Sequence, residues 1–189
     1  MSSSVELGFL LDRQWYWLRG DMDRSKKPTL LELARILGEQ QVPYAIIGGI
    51  ALQVHQAEPR TTLDIDLAVL DRNHIPRLAL REAGFIETGV FEHSENWRAA
   101  DETPVQFSDD PEFADAISRA DTFEVDGMRV SVLRIQDLFR AKLRAAADGR
   151  RRRSKRLQDL ADVQALLERQ PDLETLLTIE ERALLAALP

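Results

Sequence analysis

Cysteine is absent from the sequence, histidine occurs only three times, and no apolar run approaches the length of a membrane span. The lack of cysteine excludes a disulfide framework, a thiolate zinc site and a cysteine nucleophile. His55, His74 and His93 are too far apart for a histidine-based zinc motif. The amino terminus also lacks the basic start of a secretory signal. We therefore expect a cytoplasmic protein with no membrane partner.

The chain has 189 residues, which suits one domain or one domain with a small helical appendage. Its composition, 44% hydrophobic and 30% charged, is typical of soluble globular proteins. We divide it into an aromatic arm (residues 1–27), a core (residues 28–134) and a helical part (residues 135–189). The arm is compatible with a helix or a strand that docks on the domain or on a partner.

The hydrophobic pattern predicts alternating strands and helices. Strands are expected over residues 44–47, 63–70, 85–91 and 104–108, with a hairpin at Asp126-Gly127. Helices are expected from Pro28 and over residues 50–56, 73–83, 111–119, 135–147, 155–169 and 178–188, and a polar loop over residues 93–102. The resulting fold class is α/β or α+β, a mixed sheet flanked by helices with a helical carboxyl-terminal part.

Charge is distributed unevenly along the chain. The net charge of −7 argues against a general nucleic-acid binder. Residues 139–156, however, contain nine basic residues and one acid, a net charge of +8 that leaves −15 for the rest. One basic patch on an acidic body indicates a polyanion that is bound at one place.

Asp64 and Asp66 are two residues apart on a predicted strand, so their carboxylates project from the same face. The alternate residues Ile65 and Leu67 then point into the core. Two adjacent carboxylates repel each other unless a cation lies between them, and hard oxygen ligands suit Mg²⁺ or Mn²⁺. Two such ions on a triphosphate serve in-line displacement at phosphorus. A lone Asp-x-Asp is otherwise a solvated strand face.

The Gly48-Gly49 turn between a strand and a short helix allows the backbone to approach phosphate oxygens. Arg60 is a candidate for bidentate binding of phosphate, although an isolated arginine is usually a surface charge. Thr62 shares the strand face of Asp64, so its hydroxyl is expected to support the metal ligands. Each feature alone has a plain structural reading; their order and spacing favour function.

Together these motifs, GGIA at residues 48–51 and RTTLDIDL at residues 60–67, resemble the active-site signature of the DNA polymerase β-like nucleotidyltransferase superfamily. The resemblance is to the AbiEii-type minimal nucleotidyltransferases of type IV toxin–antitoxin and abortive-infection systems. It continues through Lys142, Ala145 and Arg150 to a helix that opens Lys-Asp-x-x-Asp in the family. Here residues 155–162 depart from that pattern, because the lysine and the first aspartate are separated. The resemblance covers roughly residues 30–168.

The resemblance implies transfer of a nucleoside monophosphate from an NTP to an acceptor hydroxyl, with release of pyrophosphate. Asp64 and Asp66 would hold Mg²⁺ or Mn²⁺, and Gly48-Gly49 would cradle the triphosphate. Lys142 and Arg144 would be candidate phosphate contacts. The resemblance also suggests a toxin with a cognate antitoxin, while small-molecule or protein hydroxyls remain alternative acceptors.

One departure concerns the third carboxylate that the family places on a later strand. The corresponding position here is Gln106, and a neutral amide is a weak metal ligand and no base. Asp109 or Asp110 at the end of that strand is the candidate replacement, and we assign the catalytic role to Asp109. Without a replacement, the alternative is a catalytically degenerate nucleotide-binding regulatory protein of the same fold.

The basic turn is the candidate nucleic-acid site, formed by Arg150, Arg151, Arg152 and Arg153. It predicts docking of an RNA acceptor, with tRNA favoured, through phosphates; the alternative is a solvated connection between helices. Asp159 and Asp162 are expected to pair with Arg150 or Lys155 rather than with metal. A purely structural domain that interacts through its aromatic arm is the third hypothesis.

Overall fold

The computed structural model describes residues 4–18, 20, 25–56 and 60–186 of the chain. Within these ranges, seven strands form one mixed sheet: β1 (Tyr44–Ile47), β2 (Ile65–Val69), β3 (Ile86–Phe91), β4 (Ser94–Arg98), β5 (Pro104–Ser108), β6 (Asp121–Val125) and β7 (Met128–Val132). Their order across the sheet is β3-β4-β5-β2-β1-β7-β6. The expected mixed sheet with flanking helices is confirmed.

The helices are α1 (Ser4–Leu18), α2 (Lys27–Glu39), α3 (Gly48–His55), α4 (Arg77–Glu82), α5 (Ala114–Ser118), α6 (Ile135–Ala147), α7 (Arg153–Arg169) and α8 (Ile179–Ala186). Three short 3₁₀ segments precede α4, α5 and α8 in the described part of the chain: Arg72–His74, Pro111–Phe113 and Pro171–Leu176. Helices α6 and α7 pack side by side beyond the sheet. The aromatic arm forms α1, which packs on α3 and contributes Val5 and Phe9 to the hydrophobic core.

The central strands β1 and β2 are buried because apolar side chains cover both of their faces. Strand β2 pairs with β1 antiparallel and with β5 parallel, while β1 pairs with β7 parallel. Ile65, Leu67 and Val69 on one face of β2 are at most 1% exposed, and Ala68 on the other face is fully buried. Burial on both sides pins the register of β2 and, with it, the position of Asp66.

The expected polar loop over residues 93–102 is wrong, since half of it is strand β4. Its polar composition conceals an alternation of buried and half-exposed side chains. Trp97 is buried, and the equally buried Glu95 pairs with Arg77 and accepts a hydrogen bond from the Trp97 indole. A buried ion pair therefore lets a charged residue occupy a core position of the strand.

Two predicted helices are shorter than expected and begin as 3₁₀ turns. Asp71, rather than Asn73, starts the first turn and accepts a hydrogen bond from the Asn73 backbone N–H at 2.8 Å. Asp110 starts the second turn in the same way, accepting from the Glu112 backbone N–H at 3.0 Å. Parts of the aromatic arm (residues 1–3, 19 and 21–24) and the end of the helix expected over residues 178–188 lie outside the described residues. Among the described helices, none combines the length and apolar character that crossing a membrane requires.

Candidate active site

Asp64 and Asp66 lie at the start of β2, on the wall of a cleft of about 860 Å³. The strand expected over residues 63–70 begins only at Ile65, so Asp64 precedes it and Asp66 lies within it. Asp66 is opposite Ile47 of β1 and Gln106 of β5, which holds its backbone from both sides. Asp64 is held by a side chain instead, because its Oδ1 accepts a hydrogen bond from Thr62 Oγ1 at 3.0 Å.

Gly48 and Gly49 begin α3 directly at the end of β1 and face these carboxylates. Gly48 has a φ of +63°, and a Cβ there would lie 2.1 Å from Asp66 Oδ2. A Cβ on Gly49 would lie 2.2 Å from Thr62 Oγ1. The two glycines are therefore required by close packing against Asp66 and Thr62, in addition to the open backbone that they present to the cleft.

Burial and the neighbouring charge of Asp64 raise the pKa of Asp66 from 3.8 to about 7. The positive charges of Lys142, Lys155 and Arg151 act in the opposite direction without cancelling the rise. Asp66 is thus a carboxylate that lacks sufficient positive charge nearby. A divalent cation on Asp64 and Asp66 would supply that charge through hard oxygen ligands, which Mg²⁺ and Mn²⁺ prefer. The residues present fit such an ion.

Within the described ranges, no group of three or more histidine or acidic side chains has the arrangement of a metal site. The neighbour of Asp66 on β5 is Gln106, as expected, and its amide nitrogen donates a hydrogen bond to Asn96 Oδ1 at 3.2 Å. Two amides thus occupy the sheet face beside Asp66. No third carboxylate completes the pair on this face.

Asp109 is not brought to the site. Its carboxylate accepts hydrogen bonds from Arg72 Nε at 2.5 Å and Arg72 Nη2 at 2.9 Å, and it does not line the cleft. Its neighbour Asp110 does line the cleft, where it pairs with Arg144 at 3.3 Å. Successive residues at a strand end point in opposite directions, so Asp110 is the better placed of the two.

Arg60 lines the cleft, but its guanidinium is already paired with Asp162 of α7. Arg60 Nε and Nη2 lie 2.8 and 2.9 Å from the two carboxylate oxygens of Asp162. Lys142 Nζ lies 2.8 Å from Asp162 Oδ2 and 2.9 Å from Asp159 Oδ1. Asp159 also pairs with Arg151 at 3.1 Å.

Asp159 and Asp162 do pair with cations, as expected. The partners are Arg60, Lys142 and Arg151, however, and not Arg150 or Lys155. Both aspartates are almost fully buried, so they take the cations that the fold places beside them. Although burial opposes ionisation, Arg60 and Lys142 lower the pKa of Asp162 below its ordinary value. Five charged groups thus form one network beside the cleft: Arg60, Lys142, Arg151, Asp159 and Asp162.

The rest of the basic cluster is split between paired and free cations. Arg144 pairs with Glu112 as well as Asp110, and its guanidinium carbon lies 5.4 Å from the centre of the Phe113 ring. Arg150 pairs with Asp148, although its side chain remains 91% exposed. Within residues 139–156, all of which the structure describes, four cations form no ion pair: Arg152, Arg153, Lys155 and Arg156, the last of which donates to the Ala146 carbonyl oxygen at 2.7 Å. Arg152 and Lys155 line the cleft; Arg153 does not.

Lys155 and Gln158 of α7 also line the cleft, although no sequence motif marked them as site residues. The signal was their helical spacing with Asp159 and Asp162, which places all four on one side of the helix. His55 does not line the cleft, and its Nε2 lies 2.7 Å from the Leu133 carbonyl oxygen, within hydrogen-bond distance.

The fold is shared with solved nucleotidyltransferase-like structures. An antigenic nucleotidyltransferase-like protein from Paracoccidioides brasiliensis has 20% identity and a TM-score of 0.56, covering 85% of this chain and 90% of that one. ANT(2")-Ia in complex with adenylyl-2"-tobramycin has 16% identity and a TM-score of 0.55, covering 86% and 97%. The lincosamide antibiotic adenylyltransferase LnuA, lincomycin-bound, has 12% identity and a TM-score of 0.53, covering 74% and 97%. At these identities the likeness shows the fold alone.

A comparison of the sequence with curated proteins gives no significant match. A family model, in contrast, matches residues 33–188, which is most of the chain and includes the whole cleft. That family is described as the nucleotidyl transferase AbiEii toxin of type IV toxin–antitoxin systems. The chain therefore belongs to the AbiEii family and is a nucleotidyltransferase, an enzyme that transfers a nucleoside monophosphate.

Proposed function

We propose that the protein transfers a nucleoside monophosphate from an NTP to a hydroxyl of RNA, with tRNA favoured, in a reaction that depends on Mg²⁺ or Mn²⁺. In this step the acceptor oxygen bonds to the α-phosphorus and the bond from that phosphorus to the bridging oxygen breaks. Pyrophosphate leaves and the hydroxyl proton is released. The observation that carries the proposal is the carboxylate pair Asp64 and Asp66, packed against Gly48 in a cleft bordered by cations.

Asp64 and Asp66 would hold the metal, which when bound neutralises phosphate charge and polarises the reacting phosphorus. The protein's own residues then orient the nucleotide. Gly48 and Gly49 present backbone rather than side chains to the triphosphate at the start of α3, where backbone N–H groups favour anions. Because the carboxylates of α7 fix Lys142, its ammonium group is held at the cleft wall without a loss of side-chain entropy on binding.

The free cations support a polyanionic acceptor. Arg152 and Lys155 border the cleft without a protein partner among the described residues, and the exposed Arg150 lies beside them. Phosphate contacts of this kind give affinity that weakens with salt and carries no sequence information. An acceptor such as RNA, with a phosphate on each nucleotide, matches them better than a small neutral molecule does.

Transfer of label from each of four α-³²P-NTPs tests the proposal. Reactions contain Mg²⁺ or Mn²⁺ and total RNA, purified tRNA, or tobramycin as a small-molecule acceptor. We expect label in RNA, and none from the double variant Asp64→Ala/Asp66→Ala. The matched control is Asp109→Ala/Asp71→Ala, which removes two carboxylates that lie away from the cleft. Label in tobramycin but not in RNA contradicts the proposed acceptor.

We also propose that the protein acts as a toxin and that a cognate antitoxin partner restrains it. Membership of a toxin–antitoxin family supports this role. Induced expression of the wild type should arrest growth, whereas Asp64→Ala/Asp66→Ala should not. Equal growth of both strains at equal protein levels contradicts the toxin role without affecting the transferase assay.

Gln106 favours one alternative, a protein that binds nucleotide without transferring it. An amide beside Asp66 supplies no charge for a second metal and accepts no proton. Equilibrium binding of an NTP in Mg²⁺, combined with no pyrophosphate release for any acceptor, would support this alternative. Pyrophosphate release that is lost in Asp64→Ala/Asp66→Ala would exclude it.

A further inference from the structure

Two charged residues, Asp12 of α1 and Lys26 just before α2, are completely buried outside the cleft. Both side chains are 0% exposed, and Lys26 Nζ lies 2.6 Å from Asp12 Oδ2. The ammonium group also lies 5.9 Å from the centre of the Tyr16 ring. Both residues precede the range 33–188 that the family model matches. Charged side chains are rarely buried completely without specific partners.

The pair forms hydrogen bonds with both backbone groups of Thr62, its N–H and its carbonyl oxygen. The Thr62 N–H donates to Asp12 Oδ1 at 3.1 Å, and Lys26 Nζ donates to the Thr62 carbonyl oxygen. Thr62 is the residue whose hydroxyl donates to Asp64. A direct chain of hydrogen bonds therefore connects the buried ion pair to one of the two carboxylates of the site.

The segment over residues 60–64 needs such support because it lies before β2 and takes no part in the strand pairing of the sheet. Two further contacts reach its backbone: the Gln53 amide nitrogen of α3 donates to the Arg60 carbonyl oxygen at 2.8 Å, and Arg60 Nη1 donates to the Thr61 carbonyl oxygen at 3.2 Å. Asp66 differs, since β1 and β5 hold it on both sides. Loosening of this segment would displace Asp64 and leave Asp66 in place.

Helix α1 is anchored where it carries Asp12. Gly8 fits against the side chain of Gln53, where a Cβ would lie 2.4 Å from Cδ. Ser4 Oγ donates to the Gln53 carbonyl oxygen at 2.6 Å, and Val5 and Phe9 enter the core. This packing fixes the position of Asp12 relative to residues 60–64, and so it fixes the direction in which the carboxylate points.

We infer that Asp12 and Lys26 are positioning residues for Asp64, so that α1 forms part of the active site although it lies outside the family match. The inference rests on the proposed metal-binding role of Asp64 and Asp66. A hydrogen-bonded support of this kind commonly changes metal affinity by about 10- to 100-fold when it is removed. It acts through backbone geometry and not through contact with the nucleotide.

The test uses the full chain with paired substitutions, so that neither charge is left buried alone. Asp12→Asn/Lys26→Met retains an acceptor for the Thr62 N–H, whereas Asp12→Ala/Lys26→Met removes both contacts. Val5→Ala is the matched control, because it loosens α1 through the core without touching Thr62. Thermal unfolding establishes how much each variant is destabilised, and all further measurements are made well below the lowest midpoint.

Hydrogen exchange of the metal-free protein is the first readout. We expect the Thr62 amide to exchange at least about tenfold faster in Asp12→Ala/Lys26→Met, with a smaller effect in Asp12→Asn/Lys26→Met. Val5→Ala should leave that amide unchanged relative to the rest of the segment. Equal exchange at Thr62 in all four proteins, or an equal increase in Val5→Ala, overturns the inference.

Mn²⁺ binding followed by electron paramagnetic resonance is the second readout. We expect the Mn²⁺ dissociation constant to rise about 10- to 100-fold in Asp12→Ala/Lys26→Met and to change less than threefold in Val5→Ala. If Asp12→Ala/Lys26→Met binds Mn²⁺ as tightly as the wild type does, the inference is overturned. If the wild type itself binds no Mn²⁺, the proposed metal-dependent function fails and the positioning role towards a metal is overturned with it, whatever the exchange data show.

Discussion

Replacement of Asp66 by asparagine should stabilise the metal-free protein at neutral pH. The carboxylate pKa rises from 3.8 to about 7 on folding because the group is buried next to Asp64. At about 1.4 kcal/mol for each pKa unit, this rise corresponds to at most about 4 kcal/mol. Asp66 keeps part of its surface in water, so we expect about 2 kcal/mol, or an increase of roughly 4–8 °C in the unfolding midpoint.

The pH dependence fixes the sign of this effect. Since the folded pKa of Asp66 is the higher one, ionisation of the group favours the unfolded chain. Below pH 3.8 the wild type and Asp66→Asn should therefore be equally stable. Between pH 3.8 and about 7 the wild type should become progressively less stable than Asp66→Asn, and above that range the difference in stability should stay constant. Mg²⁺ at pH 8 should raise the midpoint of the wild type and leave that of Asp66→Asn unchanged.

Calorimetry of both proteins from pH 4 to pH 8 provides the measurement. Asp71→Asn is the control, because the Asn73 backbone N–H lowers the pKa of Asp71. The same chemical change at that position should give no gain in the midpoint at pH 8. A midpoint for Asp66→Asn at or below that of the wild type at pH 8 would refute the reasoning, since Asp66 would then not be short of positive charge.

Three further predictions concern the cleft. Gly48→Ala places a Cβ 2.1 Å from Asp66 Oδ2 at a φ of +63°. It should lower the free energy of unfolding, measured with urea, by about 2–3 kcal/mol and abolish transfer. In the control Gly38→Ala, where nothing lies within 4 Å of the added Cβ, the free energy of unfolding should rise by about 0.5–1 kcal/mol. Gln106→Glu adds a carboxylate beside Asp66, so label transfer at saturating Mg²⁺ should rise about tenfold while stability without metal falls; unchanged transfer would show that no third ligand is needed. Asp162→Asn should cost about 2–4 kcal/mol at pH 7, because it leaves two cations with a neutral partner. The Asp162 pKa is lowered on folding, so this cost should diminish as the pH falls below 3.8; an equal cost at pH 3 and pH 7 would argue for packing instead.

The sequence alone predicted that Asp64, Asp66 and the glycine pair lie together, because the signals for this arrangement are local. Two aspartates at a spacing of two share a face whenever the segment is extended, and a glycine pair after a short strand marks a tight entry into a helix. Gln106 was also placed correctly, because β5 is a short apolar strand that pairs with β2 in parallel. Strand faces and tight turns of this kind depend on the order of only a few neighbouring residues, so they can be predicted from the sequence.

Tertiary structure decided which charges meet. Arg60 and Asp162 are 102 residues apart, and nothing local to either residue shows that they form a bidentate pair. The direction of Asp109, away from the cleft and towards Arg72, depends on how β5 ends against its neighbours. The buried Asp12, 50 residues before Thr62, resembles an ordinary polar residue of an amphipathic helix. Pairing between distant charges follows from desolvation, which is set only when the chain is packed.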